Sequence, residues 1–250
     1  MTADPMSNAS AEPRRDLLSG LRQEVLRANQ ALVSAGLVTL SFGNASGVDR
    51  GAGVMVIKPS GVPYDQLRPE DMVVVSLTDG SVVEGDLRPS SDTPTHLILY
   101  RRFPEIGGVV HTHSTAASSW AQAGRAIPPL GTTHADHFHG PVPVTRRLAA
   151  AEVAGEYEAE TGAVIVETLE RLSLSAAEMP AVLVASHGPF TWGGSAAEAV
   201  ENAIALEAVA AMATRTLAVN PHAGPMPAYL LERHFRRKHG PDAYYGQRRR

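Results

Sequence analysis

The stretch GGVVHTHS, residues 107–114, holds the pattern that decides the fold. The apolar run before the histidines is typical of a buried strand. His111 and His113 are two residues apart, and side chains two apart on a strand project from the same face. The segment therefore predicts a buried strand that presents two imidazoles side by side, a geometry that a first-row metal accepts. The alternative is a polar pair that closes a strand, since an H-x-H match alone has many false positives.

Two further candidate ligands lie outside this segment. Asp92 stands at a predicted strand-to-helix turn in PSSDTPTH, and His187 follows a second apolar run in AVLVASHGPF. Three imidazoles and one carboxylate suit zinc (Zn2+), with manganese (Mn2+) or cobalt (Co2+) as substitutes. Both residues have a structural alternative. Asp92 could cap a helix that starts near Pro94, and His187 could be only a turn residue before Gly188.

The composition narrows the class of protein. With 250 residues and 44% hydrophobic content, the chain can form one substantial α/β domain or two small ones. A formal net charge of −4 argues against nucleic acid or an anionic membrane as a partner. No apolar run approaches the ~18–20 residues that span a bilayer, and the polar N-terminal segment lacks a signal peptide's apolar core. A cytoplasmic location is therefore the expectation.

The side chains that the sequence lacks also limit its chemistry. There is no cysteine, so disulfides, thiolate metal ligands and a cysteine nucleophile are excluded. Of the 22 basic residues, only Lys58 and Lys238 are lysines. Schiff-base chemistry on a carbonyl needs a lysine amine, so this scarcity favours a metal as the carbonyl activator.

Outward from the histidine pair, the pattern predicts a single α/β domain with a central, mainly antiparallel sheet flanked by helices. A helix is expected from Leu17 to about Ala35, with Gly36 as its C-cap. A hairpin turn is expected at Asp79-Gly80, and a short strand in PVPVTR. Ser195 and Glu198 form a capping box at the start of a long helix.

The domain boundaries follow from composition. Residues 1–14 are small and polar with two prolines, which predicts a disordered N-terminal tail. Residues 15–247 form the predicted domain, and residues 248–250 a C-terminal tail. The sequence contains no internal repeat and no linker that would divide two domains.

Three turns rich in glycine or serine are candidates for binding a phosphate. Glycine lets backbone N–H groups approach an oxyanion, and serine hydroxyls add donors. Each turn taken alone is more often a plain turn, and none matches a Walker loop or a dinucleotide fingerprint. The candidate residues are Gly43 and Asn44 in the first turn, Lys58, Ser60 and Gly61 in the second, and Ser90 and Ser91 in the third.

Taken together, these segments resemble the class II aldolase/epimerase superfamily and, within it, the L-ribulose-5-phosphate 4-epimerases. The resemblance covers roughly residues 17–247. The block around residues 92–113 and the terminal AYYGQ are its most specific parts. It rests on SFGNASG, IKPSGVPYDQLRPEDMVVV, RPSSDTPTHLILYRRFPEIGGVVHTHS, WAQAG, GTTHADHFHG, ASHGPFTWG and RKHGPDAYYGQ.

The resemblance implies a zinc-dependent enzyme that interconverts L-ribulose 5-phosphate and D-xylulose 5-phosphate by retro-aldol and aldol steps at C3–C4. It also implies a homotetramer whose active sites lie between subunits, with the C-terminal tyrosine supplied by a neighbour. The implied role is in arabinose use, with the ascorbate and xylulose routes, which have similar epimerases, as alternatives. The implied roles are metal ligands for Asp92, His111, His113 and His187; substrate and phosphate binding for Gly43, Asn44, Lys58, Ser60, Gly61, Ser90 and Ser91; an acid/base pair for Asp136 and Tyr245; and support for Thr132, Glu158 and His234.

The sequence departs from the epimerase pattern at two histidines and by the added N-terminal tail and the ending Arg248–Arg250, and two rival functions remain. His137 and His139 stand where the epimerases commonly have tyrosines; they are expected to be solvated loop residues, and the alternative is that they perturb the site. One rival is a metal-dependent sugar-phosphate aldolase similar to L-fuculose-phosphate aldolase, in which a glutamate usually follows the paired serines where this chain has Asp92. The other is a non-catalytic scaffold on the same fold, as in the adducin head domain, which need not keep metal ligands.

Overall fold

The structure is a computed structural model that describes residues 12–240 and 243–246. Its strands are β1 (Asn44–Asp49), β2 (Val54–Ile57), β3 (Val73–Ser76), β4 (Val82–Glu84), β5 (Gly108–His111), β6 (Ala181–Leu183) and β7 (Pro189–Gly193). Its α-helices are α1 (Glu12–Ser34), α2 (Thr93–Arg102), α3 (Thr115–Ala123), α4 (Thr132–Ala135), α5 (Ala150–Ala154), α6 (Tyr157–Arg171), α7 (Ala196–Val219) and α8 (Ala228–Lys238). Two short 3-10 helices, Tyr64–Gln66 and Pro69–Asp71, lie between β2 and β3.

The seven strands form one sheet in the order β4-β3-β2-β1-β5-β7-β6, and every neighbouring pair is antiparallel. Alternate residues along the strands face opposite layers of helices. Met55 and Val109 lie in the core cluster shared with α2 and α6, whereas Ala45 and Val110 pack with α1 and α7. The predicted α/β fold with a central antiparallel sheet is therefore confirmed.

Helix α7 is long and apolar enough to cross a membrane, judged by length and composition alone. In the structure it packs against β5, β7 and α3, and ten of its side chains are buried. A core helix passes the same test, so its hydropathy is accounted for by this packing.

The turns and helix ends that the sequence predicts from a few neighbouring residues are found at Gly36 and Gly80 and, in part, at Ser195. Gly36 follows α1 with a φ of 69°, and the hairpin between β3 and β4 turns at Gly80 with a φ of 81°. The hydroxyl of Ser195 accepts a hydrogen bond from the Glu198 N–H at 3.2 Å, while the Glu198 carboxylate accepts from the Gly194 N–H. The predicted capping box is therefore only half formed, because the Glu198 carboxylate accepts from the N–H of Gly194 and not from that of Ser195.

Two predicted elements differ from the structure. Helix α1 begins at Glu12 rather than Leu17; residues 1–11 of the predicted tail, and residues 248–250, lie outside the described residues. The strand predicted for PVPVTR is wrong, because this segment makes only isolated bridges, from Val142 to Ile127 and from Val144 to Leu183. Pro141 and Pro143 lack the N–H groups that a continuous ladder would need.

Four strands meet at one end of the sheet, and this end positions the site. The register pairs Asn44, the first residue of β1, with His111, the last residue of β5. It also pairs His111 with Phe190 near the start of β7, and Ser46 with Ile57 at the end of β2. Residues that lie far apart in sequence are therefore brought to the same edge.

Candidate metal centre and active site

Three histidines form a cluster at this end of the sheet. His111, His113 and His187 each offer a ring nitrogen, and the three nitrogens all lie within 4.8 Å of one another. The Nε2 atoms of His111 and His113 are 3.0 Å apart. Because β5 ends at His111, His113 lies just beyond the strand rather than on it, yet the two rings still meet. Among the described residues this is the one group of such side chains with metal-ligand spacing.

The ring of His111 is held in one orientation. Its Nδ1 lies 2.9 Å from the Pro189 carbonyl oxygen, which can only accept, so Nδ1–H is the donor and Nε2 is left as a lone-pair acceptor. Phe190 stacks on the same ring with centroids 4.2 Å apart. His111 is therefore a buried imidazole whose free nitrogen points towards the other two histidines.

His187 is positioned by one contact from a distant helix and by the unusual backbone conformation of the residue before it. The Tyr157 hydroxyl lies 3.4 Å from its Nδ1. Ser186, the preceding residue, has a φ of 63°, a conformation that side chains other than glycine rarely adopt. Burial, together with the neighbouring His111 and His113, lowers the pKa of His187 to about 4. The ring is neutral at neutral pH, as a metal ligand must be.

Asp92 lies next to this cluster but is not a member of it. It occupies the N-cap position of α2 without making a side-chain cap bond, and its Oδ2 accepts a hydrogen bond from the Asn44 amide at 2.7 Å. Burial raises its pKa, but nearby His111 and His96 and the Asn44 bond outweigh burial, so the pKa lies below its ordinary value. The carboxylate is therefore ionised, and its role as a fourth ligand stays a prediction.

The three candidate phosphate loops converge beside Asp92. The Asn44 amide donates to the Ser90 hydroxyl at 3.0 Å, and the Ser90 N–H donates to the Lys58 carbonyl at 3.0 Å. The Tyr64 hydroxyl donates to the Gly43 carbonyl at 2.8 Å, and the Lys58 ammonium sits 4.8 Å above the Tyr64 ring. These bonds join loops that are far apart in sequence into one cradle.

Lys58 is the charged group of this cradle. The residue is 2% exposed, and within the described part of the chain its ammonium makes one hydrogen bond, to the Pro59 carbonyl at 3.3 Å. Burial lowers its pKa to about 8. Ser60, Gly61 and Ser91 are exposed at the rim of the same cradle. A buried ammonium with one weak partner in the protein is suited to receive an anion.

Gly43 is required where the cradle meets the histidines. It has a φ of 81°, and a Cβ added there would lie 2.7 Å from the His111 carbonyl oxygen. Any larger residue would push the first loop away from β5 and so separate Asn44 from the histidine cluster.

Asp136 is the centre of a second polar group, formed by α4 and α8. The Arg237 guanidinium donates to both carboxylate oxygens, at 2.8 and 2.5 Å, and His234 Nδ1 lies 3.1 Å from Oδ1. Burial raises the pKa of Asp136, but the bonds from Arg237 and His234 outweigh it and hold the pKa below its ordinary range. The Thr132 carbonyl accepts from the Asp136 N–H at 3.0 Å. Asp136 is therefore ionised at neutral pH.

Tyr245 belongs to the same group. Its ring lies 4.9 Å from the Arg237 guanidinium and 4.7 Å from the Lys238 ammonium, and 59% of the residue is exposed. Glu158, one of the predicted supporting residues, lies elsewhere: its backbone carbonyl accepts a hydrogen bond from the Thr95 hydroxyl. Within residues 12–240 and 243–246, no hydrogen bond, ion pair or ring contact joins Asp136 or Tyr245 to the three histidines.

The expectation of a solvated loop residue is wrong for His139. His139 Nε2 lies 2.8 Å from Glu232, its Nδ1 lies 3.4 Å from Glu178, and its ring stacks on Phe235. His137 is partly buried, and burial and then Lys238 lower its pKa to about 4. The loop after Asp136 is thus attached to α8 by a histidine in place of the expected tyrosine.

Several contacts at the site carry no signal in the sequence. Tyr157 is 30 residues from His187, and the Pro189 carbonyl is a backbone group. Phe190, which stacks on His111, could have been found only from the strand register, because an aromatic residue in a strand has many other uses.

The family of the chain follows from comparison with known proteins. The family described as Class II Aldolase and Adducin N-terminal domain matches residues 23–214, which is most of the chain. The chain belongs to the class II aldolase family. The predicted resemblance to this superfamily is therefore confirmed, and with it the interpretation of the chain as an enzyme of this family.

Relatives within the family are similar over their full length. The L-ribulose-5-phosphate 4-epimerases UlaF of Salmonella paratyphi C and Salmonella typhi are each 56% identical to this chain over 228 residues, which is 91% of this chain and 99% of theirs. Among solved structures, an L-fuculose 1-phosphate aldolase aligns with a TM-score of 0.73 and 24% identity over 86% of this chain and 94% of its own. The L-fuculose-1-phosphate aldolase from Thermus thermophilus aligns with a TM-score of 0.64 and 25% identity, covering 82% of this chain and 98% of its own.

Proposed function

We propose that this protein is a metal-dependent epimerase that interconverts L-ribulose 5-phosphate and D-xylulose 5-phosphate. The observation that carries the proposal is the convergence of three histidine nitrogens within 4.8 Å of one another at one end of the sheet. Full-length relatives that are 56% identical and named L-ribulose-5-phosphate 4-epimerases support the substrate. A non-catalytic scaffold would have no need to keep these ligands.

The residues present fit a divalent first-row ion. His111 has its Nδ1–H committed to the Pro189 carbonyl, and the lowered pKa of His187 keeps that ring neutral, so both can offer a lone pair. Three imidazoles suit Zn2+, and Asp92 is proposed as the fourth ligand. When bound, such an ion supplies Lewis-acid polarisation of a ketone oxygen, worth several kcal/mol in the transition state.

The phosphate cradle is proposed to hold the end of the substrate that must turn. Inversion at C4 is achieved by breaking C3–C4, rotating the released aldehyde and forming the bond again on its other face. Lys58, Asn44 and Ser90 bind the phosphate of the glycolaldehyde phosphate fragment, so that it rotates without leaving. The cleavage products therefore stay in the site long enough to recombine.

Two proton transfers accompany the bond cleavage and the bond formation. Asp136, held ionised by Arg237 and His234, is suited to remove the C4 hydroxyl proton. Tyr245 is suited to return a proton to the aldehyde oxygen from the opposite side. We propose that this pair acts on the histidine cluster of a neighbouring subunit in a homotetramer, in line with the lack of a direct contact between them in the described part of one chain.

The rival activity is a sugar-phosphate aldolase. The L-fuculose 1-phosphate aldolase structures support the fold, but they are only 24–25% identical to this chain. Both activities break a carbon–carbon bond within a ketose phosphate, and in both a bound ion would polarise the ketone oxygen. They differ in whether the two fragments recombine on the enzyme or leave it.

Incubation with L-ribulose 5-phosphate separates the two activities. An epimerase forms D-xylulose 5-phosphate, loses activity after chelation and regains it when Zn2+ is added back. Accumulation of dihydroxyacetone and glycolaldehyde phosphate would identify an aldolase instead. Full D-xylulose 5-phosphate formation by protein that is free of divalent ions would contradict the metal centre.

Replacing Lys58 by methionine is expected to raise KM for L-ribulose 5-phosphate at least tenfold and to leave the thermal midpoint unchanged or higher. The ammonium is buried with one 3.3 Å partner, so an apolar side chain of similar length removes a desolvated charge. The wild-type KM should also rise as pH increases through about 8, because the charge that binds phosphate is present below the pKa of Lys58 and lost above it. A KM that is unchanged by the substitution would remove Lys58 from the phosphate site.

A further inference from the structure

Helix α3 connects two of the three histidines. It begins at Thr115, two residues after His113, so the position of its first turn sets the position of that ligand. Near its other end, the Ala121 carbonyl accepts a hydrogen bond from the Ser186 N–H at 2.9 Å. Ser186 immediately precedes His187, and its φ of 63° lies in the left-handed region. Helix α3 therefore links the backbone segments that carry His113 and His187.

The N-terminus of α3 is capped by a side chain from another helix. Ser114 stands at the N-cap position but makes no side-chain cap bond. Instead, the carboxylate of Glu207 in α7 accepts from the Ala116 N–H at 2.7 Å and from the Ala117 N–H at 2.9 Å. These are N–H groups of the first turn that have no partner within their own helix. A carboxylate at this end also interacts favourably with the helix dipole.

A second contact holds the middle of α3 independently. The Trp120 indole N–H donates to the Ala210 carbonyl at 3.1 Å and to the Thr214 hydroxyl at 2.9 Å, both in α7. Without Glu207 the helix would therefore stay docked while its first turn, next to His113, lost its anchor. The effect is expected to be local to the ligand rather than global.

We infer that Glu207 is a positioning residue for the metal centre, acting through the first turn of α3 on His113. It does not touch the three ring nitrogens, and its function is to keep His113 at the separation from His111 and His187 that an ion requires. The inference rests on the proposed metal centre. It adds to that centre a residue that lies 94 positions after His113 in the sequence (207 minus 113). Outer partners that orient ligands typically contribute about 10–100-fold to metal affinity.

Cobalt titration of metal-free protein, followed by the visible absorption of Co2+, tests this inference. Glu207→Ala is expected to bind Co2+ about 10–100-fold more weakly than wild type and with an altered absorption band. Glu207→Gln keeps one oxygen acceptor and should fall between the two. Glu152→Ala is the matched control, because Glu152 caps the Ala149 N–H of α5 and contacts no histidine. Its Co2+ affinity and spectrum should equal those of wild type.

Catalysis gives a second readout. At saturating Co2+, the kcat of Glu207→Ala should return to most of the wild-type kcat. Saturation with metal would not restore kcat if Glu207 took part in the chemistry. Wild-type affinity and an unchanged absorption band in both Glu207 variants would overturn the inference, while leaving the metal centre in place. A wild-type protein that fails to bind Co2+ would overturn the metal centre itself, and the inference with it. Glu207→Gln serves as the test if Glu207→Ala does not fold.

Discussion

Replacing His111 by alanine is expected to abolish binding of the proposed divalent ion and the proposed epimerase activity together. His111 is the buried member of the cluster, and its free Nε2 lies 3.0 Å from that of His113. With its Nδ1–H bonded to Pro189 and its face stacked on Phe190, it is also the ligand with the least freedom to move. Without His111 the proposed site keeps two imidazoles and Asp92 but loses its buried imidazole, the one held in a single orientation, so its affinity for the ion should fall sharply.

Elemental analysis of the purified variant, together with the assay for D-xylulose 5-phosphate, checks this result. His111→Gln keeps most of the side-chain volume against Phe190, so it separates loss of the ligand from loss of packing. His222→Ala is the control, because His222 is exposed and makes no side-chain contact with the cluster. A His111 variant that retains a full equivalent of metal would contradict the assignment.

Replacing Tyr245 by phenylalanine is expected to lower kcat by roughly 10²–10⁴-fold while the metal content stays at the wild-type level. The substitution removes only the hydroxyl. The ring that lies over Arg237 and Lys238 is kept, so the Asp136 group should remain assembled. The expected loss is that of the group that returns a proton to the aldehyde oxygen in the proposed reaction, after Asp136 has removed the C4 hydroxyl proton on the other side.

The neighbouring residue provides the control for this variant. Tyr244 is similarly exposed, and its ring lies 5.6 Å from the Arg233 guanidinium, but it has no proposed part in the reaction. Tyr244→Phe should retain wild-type kcat. Full activity in Tyr245→Phe would end the acid/base assignment. If sites are shared between subunits, mixed oligomers of Tyr245→Phe and His111→Ala chains should also regain activity, because one site can then combine two intact halves.

The sequence by itself determined the parts that depend on short-range chemistry. Short apolar runs predict the buried strands, Asp79-Gly80 predicts the hairpin, and Gly36 predicts the end of α1. The spacing of His111 and His113 predicts two neighbouring imidazoles, and this holds although β5 ends at the first of them. These features rest on periodicity and turn geometry, which act over a few residues.

The loop after Asp136 shows where local chemistry stops being informative. A polar loop with two extra histidines suggests solvated side chains, because loops usually lie at the surface. The partners of His139 come from Glu178 and Glu232, 39 and 93 residues away by difference of residue number, and neither can be identified from the loop itself. PVPVTR is a different case, because the two prolines that lack N–H donors are part of the segment itself and limit it to isolated bridges.

Only the tertiary structure decided how the candidate residues are oriented and which of them share a site. It joined the three phosphate loops through Asn44, Ser90 and Lys58, set the free nitrogen of His111 by a backbone carbonyl, and placed Glu207 under the first turn of α3. Each of these contacts depends on strand register and helix docking across dozens of residues. Such contacts form only when the hydrophobic layers of the whole domain are packed, so no local stretch of sequence encodes them on its own.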